Sequence, residues 1–201
     1  MIPPRVSLRG HLAESGRPGG LRDGIGGTPV EEKGISGAAG GTAINDERII
    51  QKVAASPWVE DEGGRRPRVI AVVGLSAKED RPSYLVAREL QRQGYRIVPV
   101  NPRYDEVLGE KAYKSLDDVP FPVDVVQVFR APAYVTPVAE AAARRPEKPV
   151  FWMQEGVVSE EAAGIAAAAG LPVVMDRCLW REVQRLQAAG SLPLVVRREK
   201  R

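Results

Sequence analysis

The chain has almost none of the residues that bind metals or cross-link a fold. In 201 residues it carries one cysteine, Cys178, and one histidine, His11. A lone cysteine excludes an intrachain disulfide and gives no sign of an oxidising compartment. No group of Cys, His and carboxylates has the spacing of metal ligands. No apolar run approaches the roughly 20 residues of a membrane span, and the N-terminus lacks the apolar core of a secretory signal. Charge is sparse as well: the net value is +3 and the pI about 9.1. That is too mild for nucleic acid without a concentrated patch, and Lys and Arg are scattered among Asp and Glu. A cytoplasmic protein with neither a membrane nor a nucleic-acid partner is expected.

The length accommodates one ordinary domain with something added. Residues 1–43 are rich in glycine and proline and show no apolar periodicity, so an N-terminal extension without a core, hence disordered, is expected there. Residues 191–201 end in Arg197-Arg198-Glu199-Lys200-Arg201, a basic, solvated tail. The domain is expected over 44–190.

Within it the pattern alternates. A short helix is expected over Asn45–Ala55, capped by Asn45 or Asp46, and a polar linker over Gly63–Pro67. Val69–Val73 is an apolar, β-branched run, read as a strand buried on both faces. A polar loop follows Gly74; Ser83 stands as N-cap, and Tyr84–Gln93 carries Leu85, Val86 and Leu90 on one helical face. Gly94 stops the helix, and Arg96–Val100 is a second buried strand, parallel to the first by the crossover rule. A brief edge strand is expected at 109–113 and a helical turn at 115–119. Strands at 123–129, 150–153 and 171–175 then alternate with helices at about 133–144, 160–169 and 179–188. Strand–helix alternation with about five core strands is an α/β fold, a doubly wound parallel sheet of Rossmann type.

Such a sheet binds its ligand at the carboxyl edge. The loop from Gly74 to Ser83 has one glycine and is therefore not the G-x-G-x-x-G fingerprint of NAD enzymes. It still suits phosphate: Ser76 and Ser83 bring hydroxyls, the helix brings free N–H groups, and Lys78 and Arg81 bring charge. An NAD site places Asp or Glu at the end of the second strand. Here that place holds Asn101-Pro102-Arg103, so a ligand with a phosphate on its ribose is expected, as in coenzyme A and NADP. Taken singly, Arg81 and Arg103 read equally well as ordinary surface charges.

Several motifs agree in order and spacing: Ile70–Ser76, Arg81-Pro82-Ser83, Val100–Arg103, Val123–Arg130, Trp152–Gly156 and Val174–Cys178. Together they resemble the CoA-binding domain family, the small stand-alone relatives of the N-terminal CoA-binding domain of the succinyl-CoA synthetase α-subunit. The resemblance covers roughly Asp46 to Leu186. It implies that Gly74, Ser76, Arg81, Pro82 and Ser83 lie along the CoA phosphates, and that Asn101, Pro102 and Arg103 lie near the adenosine. Phe129-Arg130-Ala131-Pro132 and Gln154-Glu155-Gly156 would line later loops, towards the nucleotide and the pantetheine arm. The full ligase also uses a domain with a phosphorylated histidine and a nucleotide-binding β-subunit. The sole histidine here, His11, lies in the leader, so binding of coenzyme A or an acyl-CoA is expected without that relay. An NADP-linked oxidoreductase is the alternative, although no hydride-transfer set is visible. So is a regulatory or scaffold subunit that pairs with a separate ligase subunit or forms a homodimer.

Other candidates have plain structural readings. Cys178 is either a thiol near the CoA sulfur or, as preferred, a small buried residue packing the last helix. Glu155 resembles a general base, but such a residue more often caps a helix or pairs with an arginine. Trp58, Trp152 and Trp180 read as core or interface residues.

Overall fold

A computed structural model describes residues 43–190. The extension, His11 and the basic tail lie outside the described residues. Helix α1 (Glu47–Ala54) is capped by Asp46, whose carboxylate accepts from the Arg48 N–H at 2.9 Å. Strands β1 (Trp58–Asp61) and β2 (Gly64–Pro67) pair antiparallel. The expected polar linker is thus half of a hairpin. Its charged sequence hides it, because its side chains pack by stacking and ion pairing: Arg65 lies 4.9 Å from the Trp58 ring, and Arg66 bridges Asp61 and Asp124.

Strand β3 (Val69–Val73) is buried throughout and leads into α2 (Pro82–Arg92). The helix begins one residue before Ser83, with proline in its first turn and Arg81 as a cap that makes no side-chain bond. Its buried face is Ser83, Ala87 and Leu90, and Leu85 turns outward. Strand β4 (Arg96–Val100) follows. Instead of one edge strand, β5 (Glu106–Val107) and β6 (Glu110–Lys111) form a small hairpin, and Tyr113 makes a parallel bridge to Val100. The segment 115–119 is a turn rather than a helical one, and Asp118 accepts from both the N–H and the hydroxyl of Ser115.

Strand β7 (Val125–Val128) leads through a 3-10 turn (Pro132–Tyr134) to α3 (Thr136–Arg144). Then come β8 (Val150–Met153), α4 (Glu160–Ala168), a short β9 (Val173–Val174) and α5 (Leu179–Ala188). The last strand is shorter than expected, and Asn45 covers its outer edge, donating to Val173 O and accepting from the Met175 N–H.

The five core strands are all parallel, in the order β4-β3-β7-β8-β9. Residues alternate between faces as the pleat requires. Ile70, Val72, Val125 and Trp152 pack under α1, α2 and α5, and Ala71, Val73, Val126 and Phe151 pack under α3 and α4. The second pair of helices meets through alanines, among them Ala139, Ala142, Ala162 and Ala166, all fully buried.

Gly74 ends β3 at φ +90°, and a Cβ on it would stand 2.4 Å from the Phe129 carbonyl oxygen. Both the dihedral and the contact exclude a side chain. Gly74→Ala is therefore expected to force the β3 loop away from the end of β7. The loss should be about 2 kcal/mol or more in a urea titration; an unchanged midpoint would contradict the close approach.

Below the sheet, burial alone would raise the pKa of Glu147, but the Val123 N–H and the Arg145 guanidinium outweigh it and hold the carboxyl below its usual range. Arg145 also donates to the carbonyls of Leu116 and Phe121. A depressed folded-state pKa stabilises the fold above the unfolded value, and that contribution is lost as pH falls through the lower folded value. Glu147→Gln should accordingly reduce stability near neutral pH and flatten its decline in acid, as read by denaturation from pH 7 to pH 2.

Candidate functional site

The helices after β3 and β7 lie on opposite faces of the sheet, although the two strands are neighbours. Chain direction switches there, and the carboxyl ends part into a crevice. At that place is a cleft of about 510 Å³. The loop after β3 forms one wall, Asn101 to Tyr104 after β4 a second, and Phe129 with Arg130 after β7 a third. Glu155 and Val157 close it from the end of β8.

The β3 loop is built by its own serines. Ser83, buried in the first turn of α2, accepts the Ser76 N–H on Oγ at 3.1 Å. Ser76 Oγ accepts the Lys78 N–H at 3.1 Å. Each oxygen is engaged as an acceptor, which leaves each hydroxyl proton to be donated. Asn101 fastens the next wall: its Nδ2 donates to Leu75 O at 2.9 Å, and its Oδ1 accepts the Arg103 N–H at 3.1 Å. Both functions of the Asn101 amide are spent on backbone, so it shapes the cleft and holds Arg103 at the rim.

The electrostatics are one-sided. Lys78, Arg81, Arg103 and Arg130 all line the cleft and are exposed. None of their side chains has an ion pair, hydrogen bond or aromatic stack among the described residues, whereas most other Lys and Arg residues there have such a partner. The one carboxylate in the lining, Glu155, is paired with Arg181 at 2.5 Å. That is the plain structural reading of Glu155. The cleft thus gathers four free cations, hydroxyl protons and the N-terminus of an eleven-residue helix, a set of donors for a polyanion.

All the sequence-predicted residues line this cleft except Gln154 and Gly156. Gln154 is buried, and its Oε1 accepts from Gln127 Nε2 at 2.9 Å. The Gly156 N–H donates to Asp176 at 2.7 Å. Sequence reasoning missed Tyr104 and Val157 as wall residues; each directly extends a motif already singled out. It also passed over Gln127, legible only as one polar residue within Val-Val-Gln-Val. Cys178 is buried at the start of α5, outside the lining of the cleft, and Trp152 is fully buried. No described helix is long and apolar enough to cross a membrane.

A second hollow of about 440 Å³ shares Pro102 and Arg130 with the cleft and is more apolar, with Leu116, Val138 and Tyr134 in its wall.

A family model described as CoA binding domain matches residues 68–184. The uncharacterized protein YneT of Bacillus subtilis (strain 168) is 45% identical over 115 residues, 57% of this chain and 84% of that protein. The ADP-forming acetate–CoA ligase of Methanocaldococcus jannaschii is 37% identical over 71 residues, 35% of this chain but 10% of the ligase. Among solved structures, a hypothetical protein from Pyrococcus horikoshii OT3 is 34% identical with a TM-score of 0.62, covering 74% of this chain and 99% of that one. The span matched by the family model includes the five-stranded sheet and every wall of the cleft, and the chain belongs to the CoA binding domain family.

Proposed function

We propose that this chain binds coenzyme A, free or acylated, across the carboxyl edge of its sheet. The observation that carries the reading is the set of four unpaired cations around the β3 loop. Coenzyme A is a polyanion with a diphosphate and a separate ribose phosphate, and such a ligand needs charge in two places. Lys78 and Arg81, with the hydroxyls of Ser76 and Ser83, supply one, at the N-terminus of α2. Arg103 supplies the other. The adenine base would occupy the apolar hollow beside Pro102, and the pantetheine arm would run past Arg130 towards Glu155 and Gln154.

Because the M. jannaschii ligase contains the matching segment as a tenth of its length, we also propose that this chain can serve as the CoA-holding module beside a separate ligase subunit in the cytoplasm. Co-purification of such a subunit supports that arrangement, and recovery of only the chain itself or a homodimer counts against it.

Calorimetry tests the binding reading. Coenzyme A should bind more tightly than dephospho-CoA. Arg103→Ala should weaken coenzyme A about tenfold or more and leave dephospho-CoA nearly unchanged, the loss expected for one charge-assisted contact. Raising the salt concentration should weaken both ligands. Equal affinity of the wild-type protein for the two would remove Arg103 from the ribose phosphate, and tighter binding of NADP than of coenzyme A would replace the reading altogether.

A further inference from the structure

Gln127 is the least expected residue of the sheet. It sits in β7 at zero exposure, paired in register with Val72 and Trp152, in a strand otherwise made of valine. A buried amide in such surroundings needs partners for both its nitrogen and its oxygen. Gln127 has one: Nε2 donates to Gln154 Oε1 at 2.9 Å. Its Oε1 is the one sealed side-chain polar atom without a partner among the described residues. A leucine or methionine there would fill similar space with no orphan, so stability does not account for the glutamine.

The other end of the pair accounts for it better. Gln154 leaves β8 with its backbone held on both sides, the N–H donating to Val128 O and the carbonyl accepting from the Val157 N–H. Gln127 then holds the side-chain oxygen. The Gln154 Nε2 has no partner among the described residues and, unlike Gln127 Oε1, is not sealed from solvent. Its neighbours Glu155 and Val157 line the cleft, as does Phe129 at the end of the adjoining strand. One face of the Gln154 amide is therefore fixed, and the other is presented at the cleft floor. Reversing both amides would only exchange the Gln127 atom left alone and present a carbonyl instead of an N–H.

We infer that Gln127 is a positioning residue that locks the Gln154 amide to read an amide or thioester carbonyl of the pantetheine arm. The inference rests on the CoA reading above and gives the cleft a discriminator for the arm, separate from the cations that hold the phosphates.

The test is calorimetry of wild-type, Gln127→Met, Gln154→Met and double-variant protein against two ligands. Coenzyme A carries the arm, and adenosine 3′,5′-bisphosphate lacks it. Each single variant should weaken coenzyme A roughly three- to tenfold, the size of one ordinary hydrogen bond. The double variant should be no weaker than the singles, since both act through one contact. The bisphosphate should bind all four proteins alike, and Gln127→Met should melt no lower than wild type. Coenzyme A binding by Gln127→Met at wild-type strength overturns the inference and leaves the CoA reading standing. So does a lowered melting point with both ligands weakened equally, which would make the pair merely structural. Wild-type protein that binds neither ligand overturns the CoA reading itself.

Discussion

The cleft exists because two backbones come closer at Gly74 than any side chain allows. The β3 chain turns there at positive φ with the Phe129 carbonyl against its Cα, so the ends of β3 and β7 are held together while their loops diverge. Every wall depends on that approach. The β3 loop rises from Gly74 and is folded by the Ser83–Ser76 contact, and the β4 wall is hung from Leu75 through Asn101. The glycine gives geometry to a site whose chemistry is supplied by neighbours.

That chemistry has an unusual economy. A Rossmann-type sheet commonly cradles a diphosphate by close backbone approach through several glycines. Here a single glycine makes the turn, and the cradle is finished by hydroxyls whose oxygens are already used and whose protons are not. Charge is left unpaired at the rim, where solvent screens its mutual repulsion until an anion arrives. Elsewhere most cations are neutralised or stacked, as in Arg66 between two aspartates and Arg185 between Glu182 and Glu47. Leaving four together is thus a property of this edge rather than of the whole surface.

Much of this was legible in the sequence, for physical reasons that differ by element. The buried strands announce themselves because both faces must be apolar, as in Val69–Val73. The loop and the Asn-Pro-Arg strand end follow from residue chemistry at positions the crossover rule places on one edge. The β1–β2 hairpin was hidden because Arg65 and Arg66 are satisfied by a ring and by Asp124, which is far off in sequence. The cap at Ser83 was misread because a serine near a helix start can bond backward along its own loop, and that choice is tertiary. Gln154 was assigned to the arm by resemblance, but its dependence on Gln127 appears only when β7 and β8 lie side by side.

The most direct measurement is a crystal structure of the protein grown with coenzyme A. The account predicts the diphosphate over the Ser76 loop and the first turn of α2, with the ribose phosphate within ion-pair distance of the Arg103 guanidinium. Coenzyme A bound elsewhere on the molecule, or in the cleft with Arg103 turned to solvent and its phosphate held by other groups, would contradict it.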